Sequence, residues 1–540
     1  SIKKIIFLLL LNLLLFSCAR VGAPNGGTRD SLAPKFLGSN IDTTRLNVSR
    51  TVKELRLDFD EYVMLKDFNK NFNVSPPIKK IKKVIPSNLA NKYVLIQWED
   101  TLQANTTYNF NFGNAIVDNN ESNPLPYFNF AFSTGDKIDD LFVSGTVKDA
   151  MTLIKENQTA KDNKMVVGLY KAGENLDYKQ KPDYITKVDE ENYFELNFLP
   201  KGEFVIIAFD DENQNSVYDA GKEKVSFLKE KITLDSTSVR GLKLKLYPSK
   251  KVVKYKESKA INGGLLMTFE GNPETVEVKS LSEELKDFKV THAKRSDSVN
   301  IWFDAEKSNL GGTVSKQVKL SYFTPTISDT ISVSYKAVKE EFKLSNEAGN
   351  LIAPENNFVI NTSLPIENLN TSSWKLESDS IAQDFTAKIS EKNPFKILVN
   401  SSFKPTKKYV LTIPKETVSS YYSSNDKSFQ FQFEIDKPEN YGSFTAVIKN
   451  KPTAKFWVEL TNEKGEILYS QFTNASEVSF KNLKPATYIA RIRVDNNGNG
   501  FWDEADFAQN IAAEDVYIFE KEINVRPLWE IKEDWELINH

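Results

Sequence analysis

Large apolar side chains recur at every second position along most of this chain. The stretches 55–59, 128–132 and 429–433 each alternate apolar residues with mostly polar ones. A spacing of two is the period of a β-strand that buries one face and exposes the other. Turn signals such as Asn-Gly and Lys-Pro separate these runs at short intervals, and no long amphipathic helical pattern follows the first 17 residues. We therefore predict an all-β chain built from β-sandwiches.

Two internal repeats indicate how the sandwiches are ordered. Residues 101–113 and 402–414 resemble each other at an offset of 301, and the same offset relates the stretches 128–132 and 429–433. Residues 199–219 and 483–503 resemble each other without gaps at an offset of 284. Two different offsets predict two different modules, each used twice, in the order A, B, an extra segment, A and B.

These repeats divide the chain of 540 residues into five folded parts. A single hydrophobic core seldom grows beyond ~250–300 residues, so several domains are expected. The expected ranges are 34–136 and 341–437 for module A, 137–249 and 438–540 for module B, and 250–340 for a further sandwich. With the N-terminal segment as a tether, these five sandwiches predict a rod.

The N-terminal segment has the pattern of a secretion signal. Two lysines precede the apolar run 5–16, which is too short to span ~30 Å of hydrocarbon as a mature helix. The sequence Leu-Phe-Ser-Cys closes the run, and Cys18 is the single cysteine of the chain. This resembles a bacterial lipoprotein signal, which implies a cleaved signal peptide at 1–17, a lipidated Cys18, and a flexible tether over 18–33. An ordinary cleaved signal with an incidental cysteine and a buried core helix are the alternatives.

Longer motifs carry two further resemblances. The strings LRLDFDEYVMLKDFNKNFNVSPP and FAFSTGD of the first module A resemble the bacterial Ig-like domain of S-layer proteins and Bacteroidota lipoproteins. Module B has the string YFEL at 193–196, then LPKGEF and a returning strand, and is similar to transthyretin-like or carboxypeptidase-regulatory-like sandwiches. The whole layout resembles the Ig-like-domain lipoproteins of Bacteroidota, which implies an outer-membrane location and no general catalytic activity. The second module A lacks the string DFDEYV, so a role of those acidic residues would not be shared.

The sharpest chemical signal is an acidic loop in the second module B. An EF-hand-type loop needs oxygen ligands at positions 1, 3, 5, 9 and 12, a backbone carbonyl at position 7 and glycine at position 6. The stretch 495–506 meets this pattern, with glycine at the sixth position and aspartate in place of the usual final glutamate. The predicted calcium ligands are Asp495, Asn497, Asn499, Phe501 through its carbonyl, Asp503 and Asp506.

The first module B carries a weaker version of the same loop. Serine replaces the glycine, lysine occupies the twelfth position, and a glutamate follows one residue later. The predicted ligands there are Asp211, Asn213, Asn215, Asp219 and Glu223. For both loops the alternative is a turn rich in Asn and Asp, since such residues favour turns without any metal.

Several classes of function fit the sequence poorly. The formal net charge of -3 offers no basic excess for nucleic acid. With two histidines, one cysteine and no nucleotide, metalloprotease or serine-hydrolase motif, we expect no enzyme and no small-molecule substrate. The favoured hypothesis is a lipid-anchored structural or accessory protein bound to an outer-membrane protein complex. Surface glycan binding, adhesion and, further behind, glycoside hydrolysis remain alternatives.

Overall fold

The computed structural model of the chain describes residues 29–154 and 164–538. The predicted signal peptide, Cys18 and most of the tether lie outside the described residues. Strands hold 49% of the residues and helices 2%, so the predicted all-β class of tandem sandwiches is confirmed. Among the described residues, no helix has both the length and the apolar character needed to cross a membrane.

The first sandwich packs a five-stranded sheet against a three-stranded sheet. Its elements are β1 (Phe36–Ser39), β2 (Glu54–Leu65), α1 (Phe68–Asn71), β3 (Asn73–Ser75), β4 (Ile81–Ile85), β5 (Asn91–Trp98), β6 (Thr107–Gly113), β7 (Ile116–Asp118) and β8 (Phe128–Ser133). The sheets run β1-β2-β5-β4, with β7 beside β2, and β3-β6-β8. The alternating aromatic residues face inward, and the rings of Phe110 and Phe132 stack at 5.7 Å.

The second and fifth sandwiches have the same sheet order. The second contains β9 (Leu141–Asp149), β10 (Met165–Lys171), β11 (Tyr184–Lys187), β12 (Tyr193–Leu199), β13 (Gly202–Asp210), β14 (Val225–Phe227), β15 (Ile232–Leu234) and β16 (Val239–Leu246). The fifth contains β35 (Gly442–Lys449), β36 (Phe456–Thr461), β37 (Ile467–Thr473), β38 (Glu477–Leu483), β39 (Ala486–Val494), β40 (Val516–Ile518), β41 (Ile523–Val525) and β42 (Glu530–Glu536). Sheets β11-β10-β13-β14 and β12-β9-β16 correspond to β37-β36-β39-β40 and β38-β35-β42.

In the sequence, the third and fourth sandwiches come between these two copies. The third contains β17 (Lys254–Ile261), β18 (Gly264–Glu270), β19 (Glu277–Ser280), β20 (Lys289–Thr291), β21 (Ser298–Trp302), β22 (Lys316–Phe323) and β23 (Ser328–Tyr335). The fourth contains β24 (Leu344–Asn346), β25 (Leu351–Ile352), β26 (Phe358–Thr362), β27 (Asn368–Leu369), β28 (Lys375–Ser378), β29 (Ile381–Ala382), β30 (Phe385–Ile389), β31 (Lys396–Ser401), β32 (Lys408–Ile413), β33 (Val418–Ser419) and β34 (Phe429–Ile435). Short 3-10 turns occupy Thr371–Ser373 and Pro438–Asn440.

Neighbouring sandwiches are in contact at three of their junctions. The hydroxyl of Ser75 in the first sandwich accepts the Ile185 N–H of the second at 3.2 Å. Trp302 of the third sandwich is buried in the core of the fourth, and the amide of Asn482 in the fifth donates to the Pro354 carbonyl of the fourth at 3.1 Å.

The fifth sandwich also contacts the second sandwich. Its loop between β39 and β40 forms a short bridge with the chain after β16: Ala505 N–H donates to the Pro248 carbonyl at 3.0 Å, and Lys250 N–H donates to the Ala505 carbonyl at 2.8 Å. The structure therefore departs from the predicted rod, because the last sandwich folds back against an earlier one.

Candidate functional site

The loop that follows β39 is organised by its own Asn and Asp side chains. The Asp495 carboxylate accepts the N–H groups of Asn499 at 3.1 Å and Gly500 at 2.9 Å. The side-chain oxygens of Asn497 and Asn499 accept the N–H groups two residues further on. Gly500 has a φ of 83°, a left-handed conformation that glycine adopts at little cost. Three predicted ligands, Asp495, Asn497 and Asn499, are thus held in one tight turn.

Asp503 ties this loop to the third sandwich. One oxygen of its carboxylate accepts the side-chain amides of Asn497 and Asn499, both at 2.7 Å. The other accepts Nη1 of Arg295 at 2.7 Å, while Nε of Arg295 donates to Glu274 at 2.6 Å. Burial raises the pKa of Asp503, but these hydrogen bonds and the arginine charge outweigh it and hold the pKa below its usual value.

Glu514, which the sequence did not single out, supports the loop from beyond its predicted end. Its carboxylate accepts the N–H groups of Asn497 at 3.2 Å and Asp503 at 2.8 Å, and its burial raises its pKa. Asp506, the predicted twelfth-position ligand, instead accepts the N–H of Gln509 and forms a backbone bridge with Ile511. An insertion between Asp503 and Glu514 separates the two, so no fixed spacing pointed to Glu514.

The loop of the second sandwich repeats this arrangement in a shorter form. Asp211 accepts the N–H groups of Asn215 at 3.1 Å and Ser216 at 3.0 Å, and Asn213 accepts the N–H of Asn215. Burial raises the pKa of Asp211.

Glu223 holds the same position in this loop that Glu514 holds in the other. Its carboxylate accepts the N–H groups of Glu212 at 3.0 Å and Asp219 at 2.7 Å. Burial raises its pKa as well. The exposed carboxylate of Asp219 pairs with Lys222 at 3.4 Å.

Both loops offer hard oxygen donors, which suit calcium by type. Within residues 29–154 and 164–538, however, no group of three or more acidic, histidine or cysteine side chains has an arrangement that could hold a metal ion. In the fifth sandwich the amide nitrogens of Asn497 and Asn499 point at Asp503. Those amides would have to present oxygen instead before calcium could bind, and the calcium site stays a prediction.

The insertion after Asp503 makes an apolar contact with the second sandwich. Phe507 is 9% exposed, and its ring lies 4.5 Å from Tyr178, 5.2 Å from Phe227 and 5.8 Å from Tyr218. The same cluster contains Ile207 and other residues on the outer face of the sheet β11-β10-β13-β14. The insertion therefore covers an apolar sheet face that would otherwise meet water. We call this contact the closing junction, together with the Arg295–Asp503 pair.

The corresponding outer face of the fifth sandwich carries buried charge. Glu459 on β36 is completely buried, and its two oxygens accept hydrogen bonds from Arg491 at 2.7 Å and Arg493 at 2.8 Å. Both arginines lie on β39, and Arg493 also approaches the rings of Trp457 and Trp502 at 5.8 Å. Two cations sharing one carboxylate satisfy it without water.

Comparison with known proteins gives a family match for one of the five sandwiches. Residues 30–134 match the family model of the bacterial Ig-like domain. That match confirms the resemblance predicted for the first module A, and no curated protein matches the chain.

Several solved structures are similar at low identity. The S-layer protein rSbsC(31-844) is 12% identical, with 91% of this chain and 67% of that chain covered and a TM-score of 0.16. SGBP-B of the Bacteroides ovatus mixed-linkage glucan utilization locus, in complex with a mixed-linkage heptasaccharide, is 10% identical, with coverages of 71% and 94% and a TM-score of 0.19. Immunoglobulin domains 1–5 of Sidekick-1 are 9% identical, with coverages of 94% and 100% and a TM-score of 0.12.

Proposed function

We propose that this chain is a non-catalytic envelope protein, held to the outer membrane by lipid on Cys18, that acts as a structural or accessory subunit of an outer-membrane protein complex. The observation that supports this proposal is the closing junction. The last sandwich is docked on the second and third, so the array offers surfaces at fixed relative positions. A partner that touches two sandwiches then loses little entropy of domain motion on binding.

The chemistry of the closing junction supports a mechanical role for its charged residues. Arg295, Asp503 and Glu274 are engaged with one another and with loop amides. Calcium bound by the loop 495–506 would stiffen this joint further, because it would neutralise carboxylates held close together.

The lipid anchor is tested by the variant Cys18→Ser in the full chain, expressed in a Bacteroidota host. Each buried acyl methylene contributes ~0.8 kcal/mol, so several chains hold a protein firmly on a membrane. The wild-type chain should sediment with membranes after a salt wash, and the variant should appear in the soluble fraction. Retention of the variant on washed membranes would contradict the anchor.

The subunit role is tested by crosslinking in cells, followed by purification of the wild-type chain and of a Phe507→Ala variant. An outer-membrane protein should co-purify in a constant ratio with the wild-type chain and in a lower ratio with the variant, because undocking misplaces the binding surfaces. If the wild-type chain and the variant both bind immobilised glycan, and no membrane protein co-purifies with either, the result would instead favour the glycan-binding alternative.

A further inference from the structure

Strand β4 and the turn that follows it concentrate positive charge in the first sandwich. The stretch 79–92 contains five lysines and no acidic residue, although the whole chain has a formal net charge of -3. The four lysines within 79–83 are all exposed, and among the described residues only Lys80 of these four has a carboxylate partner, Glu99 at 3.5 Å. We call residues 79–92 the basic hairpin.

Exposed apolar side chains lie within the same basic hairpin. Leu89, in the turn between β4 and β5, is 80% exposed, and Ile81 on β4 is 39% exposed. A β-bulge between Ile81 and Lys83 leaves Lys82 without a facing residue on β5. Lysines on an edge strand also discourage pairing with another strand. The basic hairpin therefore suits a partner that meets charge and apolar side chains rather than backbone groups.

The junction with the second sandwich leaves the basic hairpin uncovered. Strand β4 is the last strand of the sheet β1-β2-β5-β4. The second module instead contacts the other sheet of the first sandwich, through the hydroxyl of Ser75 on β3 and that of Thr107 on β6, which accepts the Asp139 N–H at 2.9 Å. The basic hairpin thus lies at the free edge of the opposite sheet.

The basic hairpin is also within reach of the membrane that a lipid on Cys18 would enter. The described chain starts at Arg29, which pairs with Glu121 at 2.9 Å. Eleven residue steps lead from Cys18 to Arg29, and a chain of that length spans at most about 40 Å. Three strand spacings separate β1 from β4, which is about 14 Å. The tether is therefore long enough for either edge of this sheet to meet the membrane.

We propose that the basic hairpin binds the anionic lipid headgroups of the membrane in which the chain is anchored, with Leu89 entering the interface. The anchor of the proposed function supplies the membrane, and the hairpin supplies a second contact with it. Each lysine close to an anionic surface adds to binding, and salt screens this attraction. A chain held only by its tether turns freely, whereas a second contact sets which side of the array faces away from the membrane.

Vesicles test this contact in a protein that carries no lipid. Residues 18–540 with Cys18→Ser retain every described residue and lack both the acyl chains and the apolar run 5–16. This protein should sediment at low salt with phosphatidylcholine vesicles that contain about 30% phosphatidylglycerol, and it should be released by about 0.5 M NaCl. No binding, or equal binding to phosphatidylcholine alone, would overturn the proposal. Either result leaves the lipid anchor standing, because the anchor is tested separately by membrane retention in cells.

A pair of substitutions shows whether the hairpin is the part that binds. Lys82→Gln combined with Lys83→Gln should weaken vesicle binding about thirtyfold, or about fivefold for each lysine. The matched control combines Lys256→Gln with Lys259→Gln, which removes the same charge from exposed positions on β17 of the third sandwich. An equal loss in both double variants would refute a specific role of the hairpin.

A fluorescent label locates the contact. In the Cys18→Ser background, Leu89→Cys provides the only thiol for a polarity-sensitive dye. Its emission should shift to the blue when anionic vesicles are added, because the label then leaves water. The control is Val314→Cys, which replaces a side chain of the third sandwich that is 71% exposed, and its emission should not move. The same shift at both positions, or none at position 89, would contradict the proposed orientation.

Discussion

The second and fifth sandwiches have the same topology but opposite outer faces. In the second, the strands β10 and β13 present Gly168, Ile207 and Phe209, and the apolar face is covered by the insertion of the fifth. In the fifth, register and repeat place Glu459, Arg491 and Arg493 at the equivalent positions. One copy thus provides an apolar surface, while the other buries charge on its own face and extends a loop to cover that surface. The two copies of module B therefore have complementary roles in one contact: the second sandwich supplies the apolar surface and the fifth supplies the loop that covers it.

The largest effect is expected from removing the charge at the centre of the fifth sandwich's outer face. The variant Glu459→Gln leaves the buried Arg491 and the partly buried Arg493 without their counterion, which costs about 3–5 kcal/mol. Chemical denaturation of the full chain should show the transition of the fifth sandwich at lower denaturant. The control Glu477→Gln removes an exposed partner of Lys532 and should change stability by less than about 1 kcal/mol. Equal effects would mean that the buried charge does not distinguish the two faces.

The next effect concerns the contact between the two copies. The variant Phe507→Ala removes a buried ring from the apolar face and should cost about 3 kcal/mol. It should also make the insertion 504–513 sensitive to proteases, because the loop leaves its site. Phe323→Ala, which truncates a ring that is 41% exposed, serves as the control and should leave cleavage unchanged. A protected insertion in the Phe507→Ala variant would show that the apolar ring does not hold the junction.

Calcium distinguishes the loops of the two copies. At ~1 mM calcium and a Kd of ~0.1 mM, binding to the folded loop adds about 1.4 kcal/mol to stability. Melting of the full chain should therefore occur at higher temperature with calcium than with chelator. Asp495→Asn should abolish most of that difference, and Asp211→Asn should reduce it less, since the loop of the second sandwich matches the pattern less well. Identical melting curves in both buffers would mean that both loops are turns that bind no calcium.

The smallest effect is a pH dependence carried by Asp503. Its folded pKa lies below the unfolded value of about 3.9, so its charge stabilises the closing junction above about pH 4, and that contribution is lost as the pH falls through the folded pKa. Arg295→Gln should cost about 1 kcal/mol at neutral pH and move the acid loss to higher pH. Denaturation of both proteins across the acid range measures the shift. Overlapping acid transitions would exclude the Arg295–Asp503 pair as the source.

The regular parts of this structure were readable from the sequence. Alternating residues such as Phe110 and Phe132 do face the core, because the strand period depends only on neighbouring positions. The loops that start at Asp211 and Asp495 fold as their Asn and Asp spacing suggests, since those hydrogen bonds span few residues. Glu514 was not predictable in the same way, because the stretch 504–513 separates it from the loop that it supports.

The contacts that close the array could not have been predicted from local pattern. Arg295 and Asp503 lie 208 positions apart, and nothing in the sequence around Arg295 distinguishes it from the other cations of the chain. Phe507 stands in a loop rather than in an alternating strand, so its burial depends on a surface contributed by another sandwich. The exposure of β37 could not be predicted either, because the pattern of an uncharged strand is the same whether or not a neighbouring strand covers it.

The closing junction can form only after most of the chain is available. The outer face of the second sandwich, with Ile207 and Phe209, is complete once β14 has emerged, yet its cover comes from residues around 507. During synthesis from the N-terminus, the third and fourth sandwiches must emerge before that cover exists. For this interval the newly made sandwich displays an apolar sheet to its surroundings, and such surfaces are prone to aggregate or to be bound by chaperones. The pace at which the last third of the chain appears therefore governs how long the nascent protein stays vulnerable.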